Sequence, residues 1–311
     1  MASRPLVSIG VPTYNRVGKL RRSIEFMLAQ DHKAIEIVVS DNASTDGTQH
    51  FCETLARVEP RLRYYRQPRN IGPIRNYGEV LRLATGDLYM HLADDDELEL
   101  SYVSNCVAAL DADPDLTLAC GRAVMYREGV FERESTRTNL LDNAPATRLL
   151  RYYETVHDNG AFHGVVRRSV LSRLPPMRDG VIGGDWLFMA SVAYTGRIRT
   201  LEETTVTKHL GGTSATMESI ARTLGLTPLH ARYWIENIML AVFRDIAWES
   251  PVYAKLGHGG RLSLAAAAVA AVARRFRGRW ANFSFARMAI TDALLPVEVK
   301  RTLISIRDGR R

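Results

Sequence analysis

Cysteine is scarce in this chain of 311 residues, and its three cysteines lie in no metal-binding spacing. Cys52, Cys106 and Cys120 are odd in number and far apart, with no C-x-x-C pair among them. This pattern argues against a disulfide framework and against a zinc site built from cysteine. We therefore expect a protein of a reducing compartment, the cytoplasm.

Long hydrophobic runs are lacking as well. The longest apolar stretch, Leu262 to Ala273, is rich in alanine and too short for a helix that spans a bilayer. A strand-like run, Leu6 to Val11, begins close to the first residue, without the charged and apolar segments of a signal peptide. The sequence thus predicts a protein that does not span a membrane.

The sequence has no low-complexity tract and no internal repeat, and its hydrophobic content of 46% and charged content of 24% are ordinary for a globular protein. The length allows one large α/β domain or a catalytic domain with an appendage. Charge is uneven, because residues from His230 onward include fourteen Lys and Arg against six Asp and Glu, whereas the first 229 residues include twenty-seven against twenty-eight. The basic character belongs to the C-terminal part.

In the first half of the chain, strand-like apolar runs alternate with runs whose apolar residues have helical spacing. The predicted order is strand Leu6 to Val11, helix Val17 to Gln30, strand Ile35 to Ser40, helix Phe51 to Val58, strand Leu62 to Tyr65, helix Gly78 to Thr85 and strand Leu88 to Leu92. This alternation predicts a mostly parallel sheet with helices on both faces. Sheets of this kind bind ligands beyond the carboxyl ends of their strands.

Polar residues follow these strand ends, and the most informative are three adjacent aspartates, Asp94, Asp95 and Asp96. Three neighbouring carboxylates repel one another and are costly to bury, so they favour a hard divalent cation bound through oxygen. The alternative is a solvated acidic turn. Asp41 follows an earlier strand, and the next residues, Ser44 and Thr45, are typical helix N-caps.

Four segments in order resemble the nucleotide-diphospho-sugar glycosyltransferases of the GT-A type, and most of all family 2, the inverting branch. They are "VSIGVPTYNR", "IVVSDNASTDGT", "NIGPIRNYGEVLRLATGDLYMHLADDDEL" and "GGDW". The resemblance implies an α/β fold with a Rossmann-like, mostly parallel sheet flanked by helices. It implies a catalytic domain over 1–215, divided into a nucleotide-sugar half, 1–110, and an acceptor half, 111–215, and it leaves 216–311 as a helical, basic extension.

The resemblance also implies a donor site. Pro12, Thr13 and Tyr14 would line the pocket for the base and ribose, and Asp41 would accept a hydrogen bond from the base, often uracil. Arg75 would contact the base or a phosphate, unless it is paired with a neighbouring acid. Among the aspartates, Asp94 would reach the ribose or the water shell of a metal, and Asp95 would be the residue between the two ends of the motif.

The metal and the catalytic base follow from the same resemblance. Asp96 would coordinate Mg²⁺ or Mn²⁺, which would stabilise charge on the departing nucleoside diphosphate. His209 would be a third metal ligand or a phosphate contact, beside a mobile loop at Gly211, Gly212 and Ser214. Asp185 would be the general base that an inverting transfer needs on the acceptor side.

Four further residues and one departure from the family accompany this assignment. Gly184 stands where the family has the first acid of an "ED" or "DD" pair. Trp186 and Phe188 would form an apolar wall near the acceptor or pack in the core. His163 would be an acceptor contact, and Lys208 would neutralise phosphate or lie on the surface.

The region after Thr216 is predicted to be helical, and its basic residues are mixed with aromatic ones at Arg274, Arg275, Phe276, Arg277, Arg279 and Trp280. This mixture suits the surface of an anionic membrane, where lipid-linked acceptors reside. A homo-oligomer interface and a helical lid over the acceptor are the alternatives. Nucleic acid is not an expected partner, because no aromatic platform or reading helix accompanies the charge.

We therefore expect an inverting glycosyltransferase that acts in the cytoplasm, either free or at the inner face of the membrane. It would move a sugar, favouring a UDP-sugar, to the hydroxyl group of a glycan, a lipid-linked acceptor or a small molecule. A nucleotide-sugar-forming nucleotidyltransferase is one rival, although "VPTYNRVGKLRRS" has only one glycine where such enzymes have a Gly-rich loop. A non-catalytic nucleotide-sugar-binding protein is another, although it would tolerate loss of Asp96 and Asp185, and both are present.

Overall fold

The computed structural model describes residues 4–211 and 216–276. Its strands are β1 (Val7–Thr13), β2 (Ile35–Asp41), β3 (Leu62–Arg66), β4 (Leu88–His91), β5 (Glu97–Leu98), β6 (Leu116–Arg127), β7 (Val130–Glu134), β8 (Val165–Arg167) and β9 (Arg197–Leu210). Its α-helices are α1 (Val17–Ala29), α2 (Thr48–Ala56), α3 (Pro73–Leu83), α4 (Tyr102–Ala112), α5 (Pro145–Thr155), α6 (Arg168–Leu171), α7 (Gly184–Thr195), α8 (Met217–Thr223), α9 (Pro228–Arg232), α10 (Trp234–Arg244) and α11 (Gly257–Arg275). Two 3₁₀ turns, Gly160–His163 and Pro251–Leu256, and a π-helical turn, Asp245–Glu249, complete the list.

The strands of the described residues form one sheet in the order β3-β2-β1-β4-β8-β6-β9-β5, with β7 paired to β6. The first four strands are parallel, as the alternation of strands and helices predicts. Beyond β4 the sheet is mixed, because β8 is antiparallel to both β4 and β6, whereas β6 and β9 are parallel. The predicted α/β fold with helices around a central sheet is confirmed.

The parallel strands are buried on both faces, which explains their continuous apolar sequences. Every residue of β2 is buried, and β1 pairs with it in a register that sets Thr13 opposite Asp41. On the other side of β1, Gly10 pairs with His91. A Cβ at position 10 would come within 2.2 Å of the Tyr89 hydroxyl, so only glycine lets β1 pass this side chain. The carboxyl ends of β1, β2 and β4 therefore meet at one edge.

The turn after β2 corrects one expectation from the sequence. Ser44 and Thr45 do not cap α2, because this helix begins three residues later, with Gly47 before its first turn. Instead, the Ser44 hydroxyl accepts a hydrogen bond from the backbone N–H of Asn15 at 2.8 Å, and the Thr45 N–H donates to the Asn15 side chain at 2.7 Å. These bonds tie the turn after β2 to the turn after β1.

The helices after residue 216 share a hydrophobic core with the preceding part of the chain. This core contains Tyr152 and Tyr153 of α5, Trp186 and Leu187 of α7, and apolar residues of α8, α9, α10 and α11. The predicted C-terminal helices are thus present up to Phe276. The predicted cluster members Arg277, Arg279 and Trp280, and the loop residues Gly212 and Ser214, lie outside the described residues.

Helix α11 is longer than the apolar run in its sequence suggests. Together with the preceding 3₁₀ turn, it gives a segment, Pro251–Arg275, that is long and apolar enough to cross a membrane by length and composition alone. Its apolar residues, however, have partners in the protein, since Leu264, Ala265, Ala268, Val269 and Val272 are all buried in the shared core. Core packing therefore accounts for the apolar face of this helix.

Candidate functional site

Asp94 is the first of the three aspartates in the turn after β4, and it is held from two sides. The Thr13 hydroxyl donates to one carboxylate oxygen at 2.7 Å, and the Arg16 guanidinium donates to the other at 2.7 Å. Burial raises the pKa of Asp94, and the charge of Arg16 opposes this shift. The predicted donor-site residues Thr13 and Asp94 are therefore in direct contact, across the β1 and β4 ends.

Asp95 faces the beginning of α1. Its Oδ2 lies 3.1 Å from the Arg16 guanidinium and 3.0 Å from the Lys19 ammonium. Arg16 thus bridges Asp94 and Asp95, and the negative charge of these two residues is balanced by cations of the protein. Arg16 and Lys19 are not among the predicted site residues. Their position just after β1, at the same sheet edge as the aspartates, could have indicated this contact.

Asp96 differs from its neighbours, because one of its oxygens has no partner. The residue is only 2% exposed, and within the described residues no donor reaches its Oδ2. Burial raises the pKa of Asp96 to about 6, and Asp95 contributes to this shift, while Lys208 and His209 oppose it. A buried carboxylate oxygen without a donor is costly unless a cation binds it.

His163 and Lys208 lie next to Asp96. The ring Nδ1 of His163 donates to the His91 carbonyl at 3.1 Å, so its Nε2 carries the lone pair, which accepts a hydrogen bond from the Lys208 ammonium at 2.8 Å. The same Nε2 lies 3.7 Å from the Asp96 Oδ2. Burial and the neighbouring ammonium hold the pKa of His163 well below its usual value, so the ring is neutral.

His209, the predicted metal ligand, is in a different arrangement. Its Nε2 lies 2.9 Å from Glu97 Oε1, which is also 2.7 Å from the Arg22 guanidinium. The backbone N–H of His209, by contrast, interacts with Asp96. His209 is thus beside the metal candidate, but its ring would have to leave Glu97 to bind an ion.

The side chains around Asp96 supply only some of the ligands that a divalent ion needs. Within the described residues, no three His, Cys, Asp or Glu side chains are arranged to hold a metal by themselves. Mg²⁺ commonly takes one or two carboxylates from the protein and completes its coordination with water and substrate phosphates. The unpartnered oxygen of Asp96 is suited to this role, with His209 as the predicted second ligand.

The predicted base pocket lies at the ends of β1 and β2. Tyr14 is 45% exposed and Pro12 is half-buried, so both have surface available to a ligand. Asp41, by contrast, is 0% exposed, and its two oxygens accept from the Ser44 N–H at 2.8 Å and the Tyr64 hydroxyl at 2.7 Å. A base N–H would reach this carboxylate only after Tyr64 or the Ser44 turn moves.

Arg75, in the first turn of α3, is paired with an acidic side chain and is not free to bind a phosphate. It is 69% exposed, and its Nε donates to Asp179 Oδ2 at 2.9 Å. The ion pair that the sequence analysis kept as an alternative is therefore formed. It joins α3 to the segment that precedes α7, and a contact with the donor would require this exposed pair to open.

Asp185, the predicted base, is the second residue of α7, at a helix start as the resemblance implies. The preceding Gly184 explains the missing acid of the family pair, because a Cβ there would lie 2.8 Å from the Arg178 carbonyl oxygen. Tyr77 of α3 connects this residue to the triplet. Burial raises the pKa of Tyr77, and the charges of Asp96, Asp94, Asp95 and Asp185 all add to the shift. The base candidate and the three aspartates therefore all lie within electrostatic range of Tyr77.

Asn159 contacts Asp185 and was not predicted from the sequence. Its Nδ2 donates to Asp185 Oδ2 at 3.0 Å, and its Oδ1 accepts from the Tyr152 hydroxyl at 3.0 Å. The residue has a left-handed backbone, with φ of 53°. Its Asn-Gly sequence was a signal for such a conformation, but nothing in the sequence places it against Asp185.

The aromatic residues near the site pack chiefly against one another. His91 stacks on Phe162, with ring centroids 5.0 Å apart, and burial lowers the pKa of His91 to about 3. Trp186 stacks on Phe276 at 6.3 Å and is 7% exposed, and Phe188 is 8% exposed. Of the two predictions for Trp186 and Phe188, core packing fits this burial better than an open acceptor wall.

The comparisons with known proteins agree on one family. The profile described as Glycosyl transferase family 2 matches residues 8–174. The GalNAc(5)-diNAcBac-PP-undecaprenol beta-1,3-glucosyltransferase of Campylobacter jejuni is 29% identical over 168 residues, which are 54% of this chain and 53% of that protein. Abequosyltransferase RfbV of Salmonella typhimurium is 34% identical over 120 residues, 38% of this chain and 36% of its own. The chain therefore matches about half or less of these two curated relatives.

Solved structures match over nearly the whole chain. Residues 1–349 of S. aureus TarS, in complex with UDP-GlcNAc, align with a TM-score of 0.58 and 20% identity, over 97% of this chain and 79% of that one. The mannosyltransferase PcManGT of Pyrobaculum calidifontis, in complex with GDP-Man and Mn²⁺, aligns with a TM-score of 0.53 and 20% identity, over 98% and 87% of the two chains. At 20% identity, these two alignments show that the chain shares the fold of these proteins.

Proposed function

Because the chain belongs to glycosyl transferase family 2, we propose that it transfers a sugar from a nucleoside-diphosphate sugar to an acceptor hydroxyl, with inversion at the anomeric carbon. The observation that carries this proposal is that one short segment, 159–163, contacts both the start of α7 and the turn after β4, since Asn159 binds Asp185 at 3.0 Å and His163 lies 3.7 Å from Asp96. An unpartnered oxygen of Asp96 and the carboxylate of Asp185 both lie within electrostatic reach of Tyr77. An inverting transfer needs these two functions, a site for the diphosphate and a base opposite it.

The donor would lie across the ends of the parallel strands. Pro12, Thr13 and Tyr14 would line the base and ribose, and Asp94 would accept from the ribose in place of the Thr13 or Arg16 donor. Asp96 would hold Mg²⁺ or Mn²⁺ together with His209, and the bound ion would stabilise negative charge on the departing diphosphate. Arg16, which bridges Asp94 and Asp95, is a further cation at this end of the site.

Asp185 would act on the acceptor. Its Oδ2 is held by Asn159, and within the described residues no protein donor binds Oδ1, which is left for the acceptor hydroxyl. As the acceptor oxygen forms its bond to the anomeric carbon, the bond from that carbon to the phosphate oxygen breaks. The hydroxyl proton passes to Asp185, and the bonding pair leaves with the nucleoside diphosphate.

The acceptor is proposed to be a glycan or a lipid-linked glycan. The Campylobacter relative is named for a substrate linked to PP-undecaprenol, which supports the lipid-linked class. Exposed apolar residues of the C-terminal helices, among them Leu229 and Trp248, would suit contact with a membrane surface. Co-sedimentation with anionic and with neutral vesicles would separate such contact from a solution oligomer.

The first experiment is calorimetric titration with UDP, GDP, dTDP and CDP, in Mn²⁺ and then in EDTA. We expect one nucleotide to bind, with UDP favoured, and binding to disappear on chelation. Binding that persists in EDTA would remove the metal from the proposal. No binding in either condition would favour a scaffold protein, or a site that forms only when the acceptor is present.

Asp185→Asn tests the base separately from the donor. The amide keeps the shape of the side chain but cannot take a proton, so we expect nucleotide affinity to stay unchanged and turnover to fall by about 10²–10⁴-fold. Transfer is measured by release of nucleoside diphosphate in the presence of acceptor. Normal turnover of this variant would end the assignment of Asp185.

A further inference from the structure

We propose that Asn159 is a positioning residue for Asp185, and that it does so as the middle member of a chain from the buried Tyr152 hydroxyl to the carboxylate. This inference rests on the proposed role of Asp185 as the base. Both hydrogen bonds of the chain are 3.0 Å long, and they use the two ends of a single amide.

The chemistry of the three groups fixes the orientation of this amide. Tyr152 is 1% exposed, and its hydroxyl donates to Asn159 Oδ1, which leaves Nδ2 to face Asp185. The opposite orientation would set a carbonyl oxygen against an ionised carboxylate, which is repulsive. The carboxylate of Asp185, which can only accept, therefore selects the orientation in which Asn159 donates to it. The Tyr152 hydroxyl, which can donate or accept, then donates to Oδ1, and its burial in the shared core holds the amide in this orientation.

The backbone of Asn159 supports a functional rather than a purely structural role. A left-handed conformation is uncommon outside glycine, although asparagine tolerates it better than most residues. Glycine would be less strained here, yet it would not supply the amide that reaches Asp185. Strained positions of this kind concentrate at sites where a side chain must be aimed.

The segment that carries Asn159 is anchored on both sides. Asp158 accepts a hydrogen bond from Ser135 and pairs with Arg133 at 2.5 Å, which fixes the entry to the segment. At its other end, the 3₁₀ turn places His163 3.7 Å from Asp96. The residues from Asp158 to His163 thus hold the base candidate and the metal candidate in a fixed relation.

The hydrogen bond from Asn159 determines which oxygen of Asp185 faces the acceptor. Because Asn159 binds Oδ2, the carboxylate can rotate little about its Cβ–Cγ bond, and Oδ1 is presented to the acceptor in a single orientation. Loss of the amide would leave donor binding intact but would allow the carboxylate to turn. Misplacement of a reacting group by about 1 Å can cost on the order of 10²-fold in rate.

Asn159→Gly is the cleanest test, because glycine accepts the left-handed backbone and removes only the side chain. We expect its turnover to fall about 10–100-fold while nucleotide affinity, measured by calorimetry, stays the same. Asn159→Asp keeps the shape but faces Asp185 with a second carboxylate, so we expect a larger loss than in the glycine variant. Tyr152→Phe keeps the ring and removes the hydroxyl, and should give a smaller loss.

Glu128→Gly is the matched control, since Glu128 is also left-handed, with φ of 52°, but lies in the turn between β6 and β7. We expect it to keep full turnover. In the Asp185→Asn background, Asn159→Gly should cause no further loss, because a positioning residue acts only through the group it positions.

Three outcomes would overturn the inference, and they are distinguishable. Wild-type turnover of Asn159→Gly, with Asp185→Asn inactive, would remove the role of Asn159 and leave the proposed function standing. Wild-type turnover of Asp185→Asn would remove both. A loss of nucleotide affinity in Asn159→Gly equal to its loss of turnover would show a general structural role instead.

Discussion

Asp96 is a buried carboxylate with one unpartnered oxygen among the described residues, so its ionised form is costly unless a cation binds it. Its raised pKa of about 6 means that the folded state retains the proton more strongly than the unfolded state, so this group contributes stability at low pH that is lost as pH rises through about 6. Above that pH the residue is ionised, and its Oδ2 has no donor among the described residues.

Asp96→Asn should therefore stabilise the protein in EDTA at pH 8, by up to about 3 kcal/mol, since the shift of Asp96 is about two pKa units and one unit corresponds to about 1.4 kcal/mol. The gain should fall to about half at pH 5, because the folded state is then largely protonated at Asp96 whereas the unfolded state is still ionised. Thermal unfolding in EDTA at the two pH values measures both. Asp95→Asn is the control without a gain, because Asp95 is already paired with Arg16 and Lys19. A decrease in Tm for Asp96→Asn at pH 8 would contradict the assignment.

Glu36 on β2 shows the opposite behaviour. Burial alone would raise its pKa, but hydrogen bonds from Ser8, Thr85 and Arg63 outweigh burial and lower the pKa to about 2. The folded state thus favours the ionised form, and the resulting stability is complete above the unfolded pKa of about 4.5 and is lost as pH falls through about 2.

We expect Glu36→Gln to lose up to about 3 kcal/mol of unfolding free energy at pH 7, because the shift of Glu36 amounts to between two and three pKa units. The difference from wild type should shrink between pH 4.5 and pH 3. Urea unfolding at pH 7 and pH 3 is the measurement, and Glu53→Gln, an exposed residue of α2, serves as the control. An equal loss at both pH values would show that packing, not charge, holds Glu36.

The sequence predicts several residues of this site but not the residues that contact them. The three aspartates could be placed because they follow a strand that is visible as an apolar pattern, and Asp185 could be placed because its segment resembles the motif of the family. The partners could not, since Arg75 is 104 residues from Asp179, and Asn159 is 26 residues from Asp185. Both contacts depend on how α3, α5 and α7 pack, which periodicity does not encode.

At the scale of elements, the segment before α7 is held by the C-terminal helices. Arg178 donates to Asp245 Oδ1 at 2.7 Å and pairs with Glu249, and both acids belong to the π-helical turn after α10. Burial raises the pKa of Asp245 to about 6, and the charge of Arg178 opposes this shift. The start of the helix that carries Asp185 thus depends on a contact outside the matched family region, 8–174.

Arg178→Met should lower stability by about 2–4 kcal/mol at pH 8, because it leaves Asp245 buried without its cation. The loss should be smaller at pH 5, where Asp245 becomes protonated and needs no partner. Thermal unfolding at both pH values is the measurement. Arg82→Met, which breaks an exposed pair with Glu79 on α3, is the control and should change little. A loss that is independent of pH would mean that Arg178 acts by packing.

Some helices and strands agree with the sequence prediction, and others differ from it or were not predicted. The parallel strands β1, β2 and β4 agree with the sequence because their two buried faces require continuous apolar residues. Helix α3 begins five residues before the predicted Gly78, since Pro73 occupies its first turn, where proline costs nothing. The antiparallel β8 was not predicted, because three residues are too few for a periodic signal.

At the scale of the whole molecule, the hydrophobic core does not divide at residue 215. Apolar side chains of α8 to α11 pack against those of α5 and α7 in one buried cluster, and α11 ends with Arg274 paired to Glu154 of α5 at 2.6 Å. The division into a catalytic domain, 1–215, and a helical region, 216–311, stays a prediction, and the shared core shows that the described helices of the second part pack on the first.

A chain cut after residue 215 would expose the faces of α5 and α7 that the C-terminal helices cover, including Tyr153 and Trp186. Since large exposed apolar patches drive aggregation, we expect this fragment to be insoluble or to unfold without a cooperative transition. A chain cut after Phe276 keeps the contacts that the described residues make with one another, and it serves as the comparison. Size-exclusion chromatography and calorimetry compare the two. A soluble 1–215 fragment that unfolds cooperatively and binds nucleotide would show instead that the catalytic part is stable alone, and that the C-terminal helices serve the acceptor rather than the fold.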